Sequence, residues 1–253
     1  MKKDDIGNRM KGYYEQRGRN YLTRRTPVIL RLDGKAFHSF TKDFERPFSK
    51  TLSDLMTDTA LYLVRNIQGA KLCYTQSDEI SILITDFDKL TTDAWFNYET
   101  SKMNSIAASM CTAQFNRLLT TNILEASSFN TKNIWDWDQV LSKLAMFDCR
   151  AFNIPPEEIP NYFRWRYDDW LRNSIQMLSQ SHFSHKELHG KNRADMHEML
   201  HKIDVNWADL DPLWKNGTLL YKNDKGWIKD TECQWIKHVG FLDFCKTIIA
   251  REE

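Results

Sequence analysis

Two short acidic motifs carry the chemistry this sequence can offer: Arg31-Leu32-Asp33-Gly34 and Ser77-Asp78-Glu79. Carboxylates held close together repel one another, and the usual physical reason to tolerate that is a bound divalent cation. The donors are hard oxygens, and His38 is the only Cys or His close in sequence to the Asp33 turn. Such a set suits Mg²⁺, which shares its remaining positions with water and substrate phosphates. Two such ions stabilise attacking and leaving oxygens in phosphoryl or nucleotidyl transfer. Gly34 lets the backbone approach a ligand, and in the loop that follows (Lys35, Ala36, Phe37, His38) Lys35 and His38 offer donors for a triphosphate. The loop lacks Walker spacing. The competing reading is structural, with Asp33-Gly34 a plain β-turn and Ser77-Asp78-Glu79 the turn of a hairpin.

The order of elements decides whether the motifs meet. Val28 to Leu32 is β-branched and apolar enough for a buried strand, ended by Asp33-Gly34. Leu52, Leu55, Met56, Thr59, Leu63 and Ile67 fall at helical spacing, and Gly69 closes that helix. Lys71 to Tyr74 and Ile80 to Ile84 read as strands joined by the polar turn 75–79. Met103, Ile106, Met110 and Leu118 define a second long helix from Ala94 to about Leu119. After an Asn-rich connection, Met146 to Ile154 is a fourth strand. The resulting β-α-β-β-α-β order predicts an α+β, ferredoxin-like domain over residues 1–154, with two helices on one face of a four-stranded antiparallel sheet. In that arrangement the end of the first strand lies beside the start of the third, which brings Asp33 to Asp78 and Glu79. Residues 155–253 are expected to form a helical and irregular extension packed on this domain.

Composition narrows the classes further. The chain of 253 residues is 42% apolar, with 35 basic against 34 acidic residues, so it is neither a disordered polyelectrolyte nor a general polycation. The charge is uneven: residues 1–31 carry nine Lys or Arg against three acids. That segment is a solvated surface or a contact for a phosphate-rich partner. No apolar run reaches membrane-spanning length and no signal segment is visible, so a cytoplasmic protein is expected. Five scattered cysteines without CxxC spacing suggest reduced thiols.

The runs Arg31-Leu32-Asp33-Gly34-Lys35-Ala36-Phe37-His38-Ser39-Phe40 and Tyr74-Thr75-Gln76-Ser77-Asp78-Glu79-Ile80-Ser81 together resemble the tRNA-His guanylyltransferase family. The likeness continues through Ser101-Lys102, Phe147-Asp148-Cys149-Arg150, Trp165-Arg166-Tyr167-Asp168-Asp169 and Asn216-Gly217-Thr218, over roughly residues 20 to 222. It implies a catalytic domain similar to the palm of polymerases and nucleotide cyclases. It further implies a metal-dependent nucleotidyltransferase that extends tRNA 5′ ends in the 3′-to-5′ direction, using Mg²⁺, ATP, GTP and other nucleoside triphosphates, as a homotetramer. Carried onto this sequence, Asp33 and Asp78 would be side-chain metal ligands, Gly34 would add its carbonyl, and Glu79 would support them. Asp33 to His38, Ser77, Asp78 and Lys102 would contact the nucleotide. Arg46 stands where some relatives carry lysine, keeping the charge but not the geometry. Leu171 replaces the histidine with which eukaryotic members read the histidine anticodon, and leucine offers neither hydrogen bonds nor stacking. This places the chain nearer bacterial and archaeal-type relatives that repair truncated 5′ ends by templated addition, with dedicated guanylylation of tRNA-His as the alternative.

Arg24, Arg25, Arg164, Arg166, Arg172, Lys186, Lys191 and Arg193 are the expected RNA contacts, against a reading in which they only solvate the surface. Three histidines within residues 182–189 do not suggest zinc, because no cysteine is near and Lys186, Lys191 and Arg193 would repel a cation. A non-catalytic RNA-recognition module shares the element order. It stacks bases on strand aromatics, however, and Ile80 to Ile84 contains none. A nucleotide cyclase is a third reading, since its palm is similar.

Overall fold

The computed structural model describes residues 5–128 and 142–250. The expected Asn-rich connection falls mostly outside them. After a short helix α1 (Asp5–Tyr13) come β1 (Val28–Gly34), α2 (Lys50–Asn66), β2 (Ala70–Gln76), β3 (Glu79–Ile84), α3 (Thr100–Ser128) and β4 (Phe147–Asn153). This is the β-α-β-β-α-β order expected from the periodicities. β1 pairs antiparallel with both β3 and β4, and β2 with β3. The C-terminal region adds α4 (Ile159–His182), α5 (Arg193–His201), β5 (Thr218–Asn223), β6 (Gly226–Asp230) and α6 (Phe241–Ile249).

Alternation along the strands splits the core into two layers. Val28, Leu30, Leu32, Ile80, Ile82 and Ile84 face one way and pack on Leu55, Met56 and Leu63 of α2 and on Met103, Ala107, Cys111 and Phe115 of α3. Ile29, Leu72, Tyr74 and Leu83 face the other way and pack on Ile159 and Phe163 of α4 and on Phe241 and Cys245 of α6. Both faces of the central sheet are covered, and every residue of β3 is buried.

Three boundaries differ from the sequence reading. The region 155–253 is not only helical and irregular, because β5 pairs with β2 and extends the sheet to six strands in the order β4-β1-β3-β2-β5-β6. The second long helix begins at Thr100 rather than near Ala94, since Phe96 and Asn97 take left-handed backbone conformations in a separate turn. The hairpin turn contracts to Ser77 and Asp78. Thr75 and Gln76 belong to β2, and the Thr75 hydroxyl donates to the Glu79 carbonyl at 2.9 Å.

Ser49 caps α2, its hydroxyl accepting from the Leu52 N–H at 3.2 Å. Gly69 turns the chain into β2 at φ +82°, with its carbonyl accepting from the Thr85 N–H. A Cβ there would stand 2.1 Å from the Thr85 carbonyl oxygen. None of the helices in the described residues is long and apolar enough to cross a membrane.

Candidate active site

Asp33 is the last side chain of β1 before Gly34, and the ladders on either side set its neighbours. It pairs with Glu79 across β3 and with Asp148 across β4. Residues opposed in an antiparallel ladder share a face, so Asp33, Glu79 and Asp148 line one end of the sheet on the α4 side. The hairpin closes onto this end, since the Gly34 N–H donates to the Asp78 carbonyl at 3.1 Å. Two motifs that are far apart in sequence are thereby joined through the backbone.

Ser77 turns the hairpin at φ +49°, and its hydroxyl donates to Asp78 Oδ1 at 2.9 Å. Burial pushes the Asp78 carboxyl above the ordinary aspartate range, and the charges of Asp33 and Glu79 push the same way. The Ser77 hydroxyl and the Asp78 N–H oppose them. A carboxylate so placed is a preformed demand for positive charge.

Glu79 does not share that role. Arg166 holds it in a two-pronged pair, Nε to Oε1 and Nη2 to Oε2, both at 2.7 Å. Arg31 Nη2 lies 2.8 Å from Oε2, and the Ser81 hydroxyl donates to Oε1 at 3.2 Å. Glu79 is therefore compensated by two guanidinium groups, an arrangement that suits positioning. Arg166, expected to contact RNA, is buried in this pair and also bonds Asp169 at 2.9 Å. The sequence did carry a signal for this, because Phe163, Arg166, Tyr167 and Trp170 lie at one-face helical spacing.

The loop after Asp33 divides its residues between core and solvent. Phe37 is buried with ring centroids 5.1, 5.6 and 4.9 Å from Phe40, Phe115 and Phe147, so its side chain is a core anchor and its backbone is what the loop presents. Gly34 is required by this ring, since a Cβ would come within 2.2 Å of it. Ala36 stands at φ +54° ahead of the single turn Phe37–Phe40. Lys35, Ala36 and His38 are exposed, and the Lys35 N–H is bound to the Met146 carbonyl at 2.8 Å. The amides of Ala36, Phe37 and His38 have no protein acceptor among the described residues, which leaves three adjacent donors beside the carboxylate edge.

The remaining candidates separate into engaged and open side chains. Arg24 binds the buried Asp86 at 2.6 Å and Asn97 at 2.9 Å, and the Arg25 N–H donates to Asp86 at 2.8 Å. Arg164 donates to the Ile236 carbonyl at 2.5 Å and so fastens the C-terminal segment. Arg24 and Arg164, expected on RNA, thus place their guanidinium groups on the fold, whereas Arg25 is engaged here only through its backbone. Arg172 is exposed and pairs with Asp169 at 2.5 Å, Lys186 and Lys191 are exposed, and the Arg193 guanidinium lies 6.0 Å from the Trp207 ring centroid. Lys102 is exposed in the first turn of α3, and exposed Arg46 donates to the Lys42 carbonyl at 3.5 Å. Neither forms an ion pair with Asp33 or Asp78. Leu171 is half-buried against the α4-side core. Asn216, part of the last matching motif, is also structural. Its carbonyl accepts from the Tyr74 hydroxyl at 2.7 Å and its side chain from the Tyr167 hydroxyl at 3.0 Å.

Among the described residues no three acidic, His or Cys side chains gather into a closed metal cage. Two carboxylates and a backbone carbonyl, with Glu79 withheld, are what Mg²⁺ takes when water and substrate phosphates complete its shell.

Comparison with known proteins supplies a family and a fold. The family described as Thg1: tRNAHis guanylyltransferase matches residues 7–155. A bacterial tRNA(His) guanylyltransferase (Thg1)-like protein in complex with ATP superposes with a TM-score of 0.82 at 41% identity, over 95% of this chain and 99% of that one. One in complex with GTP gives 0.73 at 36% identity, over 97% and 100%. An uncharacterized protein of Acanthamoeba polyphaga mimivirus is 30% identical over 87% of this chain and 77% of its own length.

Proposed function

The chain belongs to the tRNAHis guanylyltransferase family of nucleotidyltransferases, and from that premise we propose that it adds nucleotides to the 5′ end of tRNA in the 3′-to-5′ direction, directed by the opposing strand. The observation that carries this is the junction of Asp33 and Asp78 through the Gly34 N–H. Carboxylates at the end of β1 and at the β2–β3 turn, on a β-α-β-β-α-β sheet, are similar to the palm of polymerases. Residues 1–154 are read as that palm and 155–253 as the region that covers it and meets tRNA. The enzyme is read as a cytoplasmic homotetramer by resemblance to its relatives.

Asp33, Asp78 and the Gly34 carbonyl would hold Mg²⁺, two ions being expected, and when bound the metal supplies charge neutralisation for nucleotidyl transfer. The chain's own contribution is placement. The amides of Ala36, Phe37 and His38, with Lys35 and the His38 side chain, face the phosphates of ATP or GTP. Lys102 and Arg46 supply charge at longer range. The pair of arginines on Glu79 fixes the start of β3, the residue next to Asp78, so that the Asp78 carboxylate does not relax away from Asp33. Lys186, Lys191 and Arg193 are exposed toward the RNA backbone, and so is Arg172 beside its partner Asp169. Binding by a bare stacking module is disfavoured, because the central sheet has no uncovered face.

Half-buried Leu171 favours repair over anticodon reading. The test offers a 5′-truncated tRNA with labelled triphosphates. Changing the templating nucleotide should switch which triphosphate is added, while exchanging a histidine anticodon should change efficiency less than about tenfold, or about 1.4 kcal/mol. Guanosine added whatever the opposing base, with a large loss on anticodon exchange, would establish dedicated guanylylation instead.

A further inference from the structure

A cavity of about 520 Å³ lies at the far end of α4, between that helix, the loop 183–191 and α5. Gln176 and Gln180 of α4 line it with Phe183, His185, His189 and Lys191. Its lining includes no acid. Glu187, in the same loop, is turned back onto Ser184, accepting from the N–H at 2.8 Å and the hydroxyl at 2.7 Å. Gln180 also lines a second concavity of about 170 Å³ that includes Arg46 and Pro47. The cations Arg46 and Lys191 thus stand on two sides of one glutamine.

Resting on the reading of the enzyme as a tRNA 5′-end nucleotidyltransferase, we propose that this cavity takes an unpaired base of the single-stranded 3′ tail of the tRNA while the 5′ end lies at Asp33 and Asp78. The volume is that of a small-ligand site. The rings of Phe183, His185 and His189 offer flat faces for stacking, and the centroids of the two histidines are 6.3 Å apart. The carboxamides of Gln176 and Gln180 both donate and accept, as a base edge requires. Lys191 suits a flanking phosphate. Reach agrees as well. From Arg166, which grips Glu79, to Gln180 the helix advances about 21 Å at 1.5 Å per residue. A tail of a few nucleotides, stacked at about 3.4 Å per residue, falls short of that distance. It spans the gap only with its bases unstacked, the state in which an aromatic pocket takes them.

The test uses the whole protein, His189→Ala and Gln180→Ala, with a 5′-truncated tRNA bearing 2-aminopurine at its 3′ terminus and with the same RNA lacking its tail. Fluorescence of the 2-aminopurine should be quenched on binding to the unaltered protein. Its KM for tailed RNA should be about tenfold lower than for tail-less RNA, the lower end of what one stacked base gives. Both variants should lose the quenching and most of the KM difference. Quenching that survives in both, or equal KM values for the two RNAs with the unaltered protein, overturns the proposal. Displacement of the tail by free ATP at the concentration that saturates nucleotide addition also overturns it, by marking a mononucleotide site. The fluorescence is read without turnover. An enzyme that extended neither RNA would refute the assigned activity, and the quenching would still decide the cavity.

Discussion

The Gly34 N–H donates to the Asp78 carbonyl at 3.1 Å, and the same glycine lies against the ring of Phe37 so closely that a Cβ would stand 2.2 Å from it. One residue therefore joins the two acidic motifs and seats the loop that follows them. Because the Phe37 ring is packed against Phe40, Phe115 and Phe147, it has nowhere to retreat. Gly34→Ala should destabilise the protein by about 1–3 kcal/mol, the usual effect of overpacking. Adding Phe37→Leu should recover part of that loss, with a coupling of about 1 kcal/mol in denaturant titrations. Simple additivity of the two changes would mean the ring is not what excludes a side chain at position 34.

Arg166→Ala leaves Glu79 buried with Arg31 as its one remaining cation among the described residues. The expected loss is about 3 kcal/mol, a fall in Tm on the order of 10 °C for a chain of this size. Lysine should not restore it, because it cannot make the two-pronged contact. A variant of normal stability that binds RNA poorly would instead return Arg166 to the RNA surface.

The sheet end was legible in the sequence because it depends only on element order. Once Val28 to Leu32 and Ile80 to Ile84 are adjacent antiparallel strands, Asp33 must meet the Ser77-Asp78-Glu79 turn. What sequence did not give was the state of each carboxylate. Glu79 looked equivalent to its neighbours until Arg166, 87 positions away, proved to be folded over it. Phe37 read as a loop residue, although its spacing from Phe40 already fits one buried face of a turn. The strands Thr218–Asn223 and Gly226–Asp230 were missed because each is short and is defined by pairing with β2 or with its partner. The Asn-Asp-Lys-Gly run, from the end of one strand to the start of the other, was the available turn signal.

Asp78 gives a pH dependence whose sign follows from its raised pKa. In the metal-free protein the folded state holds this proton more tightly than the unfolded chain does. Unfolding therefore releases a proton in the window that starts near the ordinary value of 3.8 and extends upward to the folded value. Stability from this group is full below that window and is lost as pH rises through it. In EDTA, Asp78→Asn should therefore raise Tm at neutral pH and flatten its dependence on pH above the aspartate range. A lower Tm at neutral pH, or an unchanged slope, would mean that Asp78 is not under the repulsion and burial described.

The most direct test of the central claim, that Asp33 and Asp78 form the metal-binding edge for nucleotidyl transfer, is extension of a 5′-truncated tRNA by the unaltered protein, Asp33→Asn and Asp78→Asn, with Mg²⁺ titrated. Circular dichroism on the same samples reports folding. The unaltered protein should add nucleotide only with Mg²⁺ present, and each folded variant should be slower by at least about a thousandfold, matching the several kcal/mol a metal contributes. Turnover at the unaltered rate by either folded variant would contradict the assignment.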